Sequence, residues 1–294
     1  MNYTGRTLKK EFIIRKIFSI HYFEYTKDFT FSGESHDFWE VMYVDKGAID
    51  VVAGEKRHSL IKGDMIFHKP NEFHSLTANG HIAPNLIIIS FSCRSPGIKW
   101  FNQRILRIGN QEKNLVAKIL HEAGNAFSSD LNDPRLPALE RKQKQVFASE
   151  QLIKLYLEQI LIGLVRRELH ITAGEEPASP LKEKTREDAF TKVVGYFEDN
   201  LIDTQNLNTV CRETGYSCTY IQNIFKEKTG RSVMEYYKII KLERAKDLIR
   251  EGDYTFTQIA AILDYSSLHY FSKIFKKYIG MTPSEYSSSV KLRI

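Results

Sequence analysis

Two sets of polar side chains recur at helical intervals, Thr219, Gln222, Asn223 and Lys226 in one, His269, Ser272, Lys273, Lys276 and Lys277 in the other. Residues spaced by three and four share one face of an α-helix. Their chemistry suits double-stranded DNA: Gln and Asn amides can pair bidentately with an adenine edge, and lysines can meet phosphate. In the second set His269 and Lys273 are the expected base readers, with Lys276 and Lys277 nearer to phosphate. A separate group, His36, Glu40, Glu72 and His74, offers imidazoles and carboxylates that could bind a small molecule or hold a metal ion.

The elements that must carry the first two sets form an internal repeat. Tyr220-Ile221-Gln222-Asn223-Ile224-Phe225-Lys226, Gly230 and Glu235-Tyr236 recur fifty positions later as Tyr270-Phe271-Ser272-Lys273-Ile274-Phe275-Lys276, Gly280 and Glu285-Tyr286. In each copy a short helix (Leu207 to Thr214; Thr257 to Leu263) precedes a tight turn. Ser217, or Ser266 and Ser267, then supplies an N-cap oxygen to a second helix. Tyr220, Ile221, Ile224 and Phe225, and their counterparts Tyr270, Phe271, Ile274 and Phe275, are expected to face inward. That is the layout of a helix-turn-helix, whose second helix enters the major groove. Val233 to Arg250 reads as one long helix joining the copies, so that the two heads could occupy successive groove segments about 34 Å apart. An all-α domain that binds protein is the alternative, and two copies on one bridge disfavour it.

Upstream the pattern differs. Phe38 to Val44, Ile49 to Ala53, Arg57 to Ile61, Met65 to Phe67 and Leu86 to Phe91 read as short strands separated by turn signals such as Gly54-Glu55-Lys56, which favours a barrel or sandwich. From Gly109 the apolar period becomes helical, and Ala148 to Leu169 is apolar over more than one face. Part of that helix is therefore expected to pack against a second copy, making a homodimer. Ile171 to Thr185 has linker composition.

With 294 residues, 42% hydrophobic and 27% charged, the chain fits a soluble protein of two domains rather than a disordered one. Its net charge of +6 permits a polyanionic partner. From Arg186 onward, however, 16 Lys and Arg stand against 14 Asp and Glu, so binding there must depend on where charge is placed. Cys93, Cys211 and Cys218 show neither a disulfide framework nor metal-ligand spacing, which points to a reducing cytosol. No signal peptide or membrane span is expected, and the location is read as cytoplasmic.

The C-terminal hundred residues resemble the DNA-binding domain of the AraC/XylS family of transcription regulators. Gly215-Tyr216-Ser217, Phe225-Lys226, Thr229-Gly230-Arg231-Ser232, Ile259-Ala260, Tyr270-Phe271 and Gly280-Met281-Thr282-Pro283-Ser284-Glu285-Tyr286 carry the likeness. It implies base contacts at Thr219, Gln222 and Asn223. Departures include Cys211 for a small Ala, Lys241 for Arg and Asp264 for a Gly whose turn position calls for a positive φ.

The N-terminal half, through His36-Asp37-Phe38-Trp39-Glu40, Gly47, Gly63-Asp64 and Pro70-Asn71-Glu72-Phe73-His74, resembles a small cupin barrel, the sensor joined to such DNA-binding domains. Metal-binding cupins place two His one residue apart, then Glu, then another His. Here Phe38 takes the second His position and leaves His36, Glu40 and His74. The resemblance implies an α+β multi-domain protein: a cupin-like β-barrel (1-108), a helical dimerisation region (109-172), a linker (173-185) and an all-α double helix-turn-helix domain (186-294; motifs at about 207-229 and 257-279). The expected function is a DNA-binding regulator, an activator, that responds to a sugar or sugar derivative and can contact RNA polymerase. Trp39 or Tyr43 would stack on the effector, with His36, Glu40, Glu72 and His74 as polar contacts. No metal, cofactor or catalytic residue is expected; a metal-dependent cupin enzyme with a helical appendage is the alternative.

Overall fold

Alternation along the strands decides how the N-terminal half is built. In β3 (Trp39–Lys46), Trp39, Val41 and Tyr43 enter one core while Met42 and Val44 enter another. β8 (Asn85–Cys93) divides likewise, Ile87, Ile89 and Phe91 to one side and Leu86 and Ile88 to the other. Strands buried on both faces need cover on both faces. The computed structural model, which describes residues 3–169, 181–202 and 205–291 (side chains of 181–187 and 291 excepted), supplies it.

One face of the five-stranded antiparallel sheet is covered by a four-stranded sheet. The first has the order β1-β8-β3-β6-β9, with β1 Ile14–Glu24, β6 Asp64–His68 and β9 Ile105–Arg107. The second has the order β2-β7-β4-β5, with β2 Thr30–Glu34, β4 Ala48–Ala53, β5 Lys56–Ile61 and β7 His74–Ala78. Met42, Val44, Ile49, Val51, Leu76 and Leu86 fill the space between them. The opposite face carries α1 (Asn110–Ala126) and α2 (Ser149–Glu168), whose Ile119, Ala123, Ile153, Leu157, Leu161 and Leu164 pack with the outward set of β3, β6 and β8. Burial at about 25 cal/mol per Å² makes this double-sided core the main source of stability in this half. Asn85, Lys46 and their neighbours close the strand ends, and β9, a three-residue edge strand, lies beside β6.

The chain divides into two compact units, residues 1–172 and 173–292. The second is helical: α3 Leu181–Asp199, α4 Leu207–Thr214, α5 Cys218–Thr229, α6 Val233–Glu251, α7 Phe256–Ile262, α8 Leu268–Ile279 and α9 Pro283–Lys291. Of the expected linker, 173–180 lie outside the described residues, and 181–185 belong to α3. Two cores form along α6. Its Val233 and Tyr237 join Val193, Phe197, Val210, Ile221 and Phe225, whereas its Leu242, Ala245, Leu248 and Ile249 join Ile259, Phe271, Phe275 and Tyr286.

The cysteine expectation is corrected. Cys211 and Cys218 form a disulfide, with their Cα atoms 5.4 Å apart. Seven positions separate them, but the turn at Gly215 (φ 77°) folds the start of α5 back against the last turn of α4, a juxtaposition that spacing alone does not reveal. Reduced cysteines therefore no longer argue for the compartment. Among the described residues no helix is long and apolar enough to cross a membrane.

Candidate nucleic-acid interface and ligand cavity

Each second helix is started, aimed and stopped by residues of the repeat. The Ser217 hydroxyl accepts from the Tyr220 N–H at 3.3 Å, and the Ser267 hydroxyl from the Tyr270 N–H at 3.1 Å. Both are N-caps that satisfy an otherwise orphaned donor. Ile221, Ile224 and Phe225 of α5, and Phe271 and Phe275 of α8, are buried and fix the rotation of each helix about its axis. That rotation leaves Thr219, Gln222, Asn223 and Lys226 exposed on α5, and His269, Lys273, Lys276 and Lys277 exposed on α8. Ser272 is half-buried and stands at the border of the face. Tyr270, expected inside, is 44% exposed beside Leu268, whereas Tyr220 at the same position of α5 is half-buried. Cys218, joined to Cys211, is half-buried and packs at the edge of the first core.

The first helix of each pair ends differently. In the second pair the Tyr265 N–H donates to the Ala260 carbonyl at 2.9 Å and the Asp264 N–H to the Ala261 carbonyl at 3.0 Å, the two bonds of a Schellman motif. The residue after the cap must then be left-handed, and Asp264 takes φ 53°. Lys241 of α6 is buried between the two heads, its ammonium 5.3 Å from the Tyr237 ring and 5.6 Å from the Tyr265 ring. Burial lowers its pKa, against the pull of Asp264.

The N-terminal unit contains a cavity of about 970 Å³. Strand parity chooses its polar floor: Glu40 of β3, Ser90 of β8 and His74 of β7 point between the sheets, and all three line it. Ser90 donates to Glu40 Oε2 at 2.9 Å. His36 Nε2 lies 3.5 Å from that same oxygen, and His74 Nε2 lies 3.4 Å from Glu40 Oε1. Burial works to raise the Glu40 carboxyl, but His36 and His74 overcome it and hold the group well below the usual carboxylate range. Burial likewise disfavours a charged His74, and Glu40 outweighs it, so the ring's pKa rises.

Two of the expected cavity residues turn away. Trp39 and Tyr43 have the opposite parity to Glu40, and so they pack under α1 and α2 instead of stacking on a ligand. Glu72 does not line the cavity; its carboxylate lies 3.5 Å from His68 Nδ1. The aromatic wall comes from Phe38, stacked at 4.1 Å on Phe18, and from Tyr25 and Phe29. Arg15, Lys16 and Lys154 bring positive charge to the lining, and Phe127 with Leu136 to Leu139 closes another side. Glu34 also faces inward, because a register shift in β2 sets it opposite His74. Gly33 (φ 108°) sits in that shift, where a Cβ would run into the Phe73 ring and the His74 carbonyl. A glycine inside a strand pattern was the available signal for this irregularity.

Residues 18–86 match the family model of an AraC-like ligand binding domain, and residues 210–289 match that of a helix-turn-helix domain. The transcriptional activator RhaR of Salmonella dublin is 21% identical over 293 residues, covering 95% of each chain. Among solved structures, ToxT of Vibrio cholerae is 15% identical over 96% of this chain and 99% of its own, with a TM-score of 0.35. A regulator with an AraC-type DNA-binding domain from Chromobacterium violaceum is 22% identical over 36% of this chain and 96% of its own, also with a TM-score of 0.35.

Proposed function

We propose, starting from the fact that this chain belongs to the AraC/XylS family of transcription regulators, that α5 and α8 read successive major-groove segments of one operator and that a ligand in the barrel cavity controls the outcome. One observation carries the reading of DNA: two capped helices, each with a buried apolar edge and an exposed polar one, stand on a single shared helix. Thr219, Gln222 and Asn223 read bases from α5, and His269 and Lys273 from α8. Lys226, Lys276 and Lys277 meet phosphate, and Ser272 is a border contact. The RhaR likeness supports an activator, which would contact RNA polymerase, and the cytoplasm as the site of action.

The cavity's aromatic wall, polar floor and basic lining suit a hydroxylated or anionic metabolite, with a sugar or sugar derivative as the first candidate. Homodimerisation is assigned to α2 and its C-cap, where Leu155, Ile162 and the C-cap Leu169 remain exposed at intervals of seven, the period of a helix-helix seam. Binding of the full chain to its own upstream DNA, titrated at several salt concentrations with and without sugars, tests the proposal. A specific complex whose affinity falls with salt is expected. Equal affinity for operator and random DNA overturns it.

A further inference from the structure

We propose that Leu268 and Tyr270, in the first turn of α8, pack against the 5-methyl groups of thymine bases, so that the second head selects its half-site by methyl contact as well as by hydrogen bonds. The inference rests on the placement of α8 in the major groove and names what the tip of that helix reads there.

Leu268 and Tyr270 are 39% and 44% exposed. Single apolar residues on a surface are ordinary and call for no explanation. These two stand on either side of His269, and the three are the first residues of the helix after the Ser267 cap. At about 100° per residue, each lies about 100° around the axis from the imidazole, one on each flank. The N-terminal residues of a recognition helix are the ones that meet base edges. An apolar, imidazole and aromatic tip therefore faces the bases, with Lys273 one turn behind it.

The twin head lacks this tip. Fifty positions earlier, Leu268 is matched by Cys218 and Tyr270 by Tyr220. Cys218 is covalently joined to Cys211 of the bracing helix and packs on the first core, and Tyr220 is half-buried. The second copy contains no cysteine, and Leu268 stays on the surface. Tyr270 is braced from below: its ring lies 6.2 Å from the Tyr265 ring, which in turn lies 5.2 Å from the ring of buried Phe271. Ordering a side chain before contact reduces the entropy lost on binding.

The chemistry of the groove identifies the partner. Donors and acceptors make up the major-groove edges of the base pairs, and the one apolar group among them is the thymine methyl. A leucine pressed against a base amino group or carbonyl would strip water from it and return no hydrogen bond. Against a methyl group it removes apolar surface from water on both sides. The half-site under α8 is thus expected to carry thymine next to the base that His269 addresses.

The test uses the full chain and a duplex that it enriches from a random-sequence pool. Each thymine of that duplex is replaced in turn by deoxyuridine, which keeps every hydrogen-bonding group and lacks only the methyl. Binding should weaken about fourfold at each position that meets Leu268 or Tyr270, the worth of one buried methyl-sized group. Leu268→Ala and Tyr270→Ala should each bind thymine and uracil alike at the position they contact, while Tyr270→Phe, which keeps the ring, retains the preference. Neither side chain belongs to the second core, so these variants keep the fold. Indifference of the parent to deoxyuridine at every position, or a preference for thymine that both Ala variants retain, overturns the inference alone. A pool from which no sequence emerges overturns the reading of DNA, and this inference with it.

Discussion

The two helix-turn-helix heads carry the same repeated residues yet hold their geometry by different means. In the first, Gly215 makes the left-handed turn without steric cost, and the Cys211–Cys218 disulfide ties the bracing helix to the start of α5. In the second, Asp264 occupies the matching turn at φ 53°, with no covalent tie, and the Schellman bonds hold it there. Their exposed faces differ too. α5 offers two amides, a hydroxyl and one ammonium group, whereas α8 offers an imidazole and three ammonium groups beside exposed Leu268 and Tyr270. One pattern thus yields a covalently braced head weighted to neutral hydrogen-bonding groups and a noncovalent head weighted to positive charge. The second is the better suited to adding backbone grip to its base contacts.

Removing the aromatic centre of either head should separate them most clearly. Phe225→Ala and Phe275→Ala, both fully buried, should each cost about 3–5 kcal/mol. Hydrogen exchange should show the loosening confined to α3–α5 in the first variant and to α7–α9 in the second. Uniform loosening would mean that α6 merges the two cores into one. The disulfide closes an eight-residue loop worth about 2.5 kcal/mol by chain entropy, so reductant should lower the stability of the parent and leave Cys218→Ser unmoved. No effect on the parent would remove the covalent half of the contrast.

Gln222→Ala and Lys273→Ala should each relax discrimination by about 1–3 kcal/mol at separate base positions, seen by binding a panel of operator variants. A Lys273→Ala loss that is uniform across the panel would move that residue from base to phosphate. The smallest effect concerns the turns. Asp264→Gly should be more stable than Asp264→Ala by about 1 kcal/mol, and Gly215→Ala should lose a similar amount, as read from denaturant midpoints.

What was legible in the sequence follows from what is local. Ser217 and Ser267 announce their caps, and α4, α5 and α6 start and stop within a residue of their signals, since the apolar period and the capping residues both lie within the segment. Asp264 was recognisable as a turn residue calling for a positive φ because it departs from the glycine that the family resemblance implies there. The cavity was harder. His36, Glu40 and His74 are brought together as their motif spacing suggested, but Trp39 and Tyr43 needed only strand parity to exclude them. Glu34 depends on a register shift, Phe18 on pairing with β8 at the far end of the sheet, and the Cys211–Cys218 bond on how a turn folds back. Each of these is decided by tertiary contact rather than by neighbours in sequence.

Because α6 belongs to both cores, it sets a phase as well as a distance. Its nineteen residues span about 28 Å, and each residue turns the helix by about 100°. A single residue inserted between Tyr237 and Leu242 would advance the second head by only about 1.5 Å but swing α8 by about 100°, off the face of DNA that α5 addresses. The two heads therefore behave as gears keyed to one shaft. An operator can vary in sequence under each head, yet the helical phase between its two half-sites is written into the protein and can change only by a whole turn of α6.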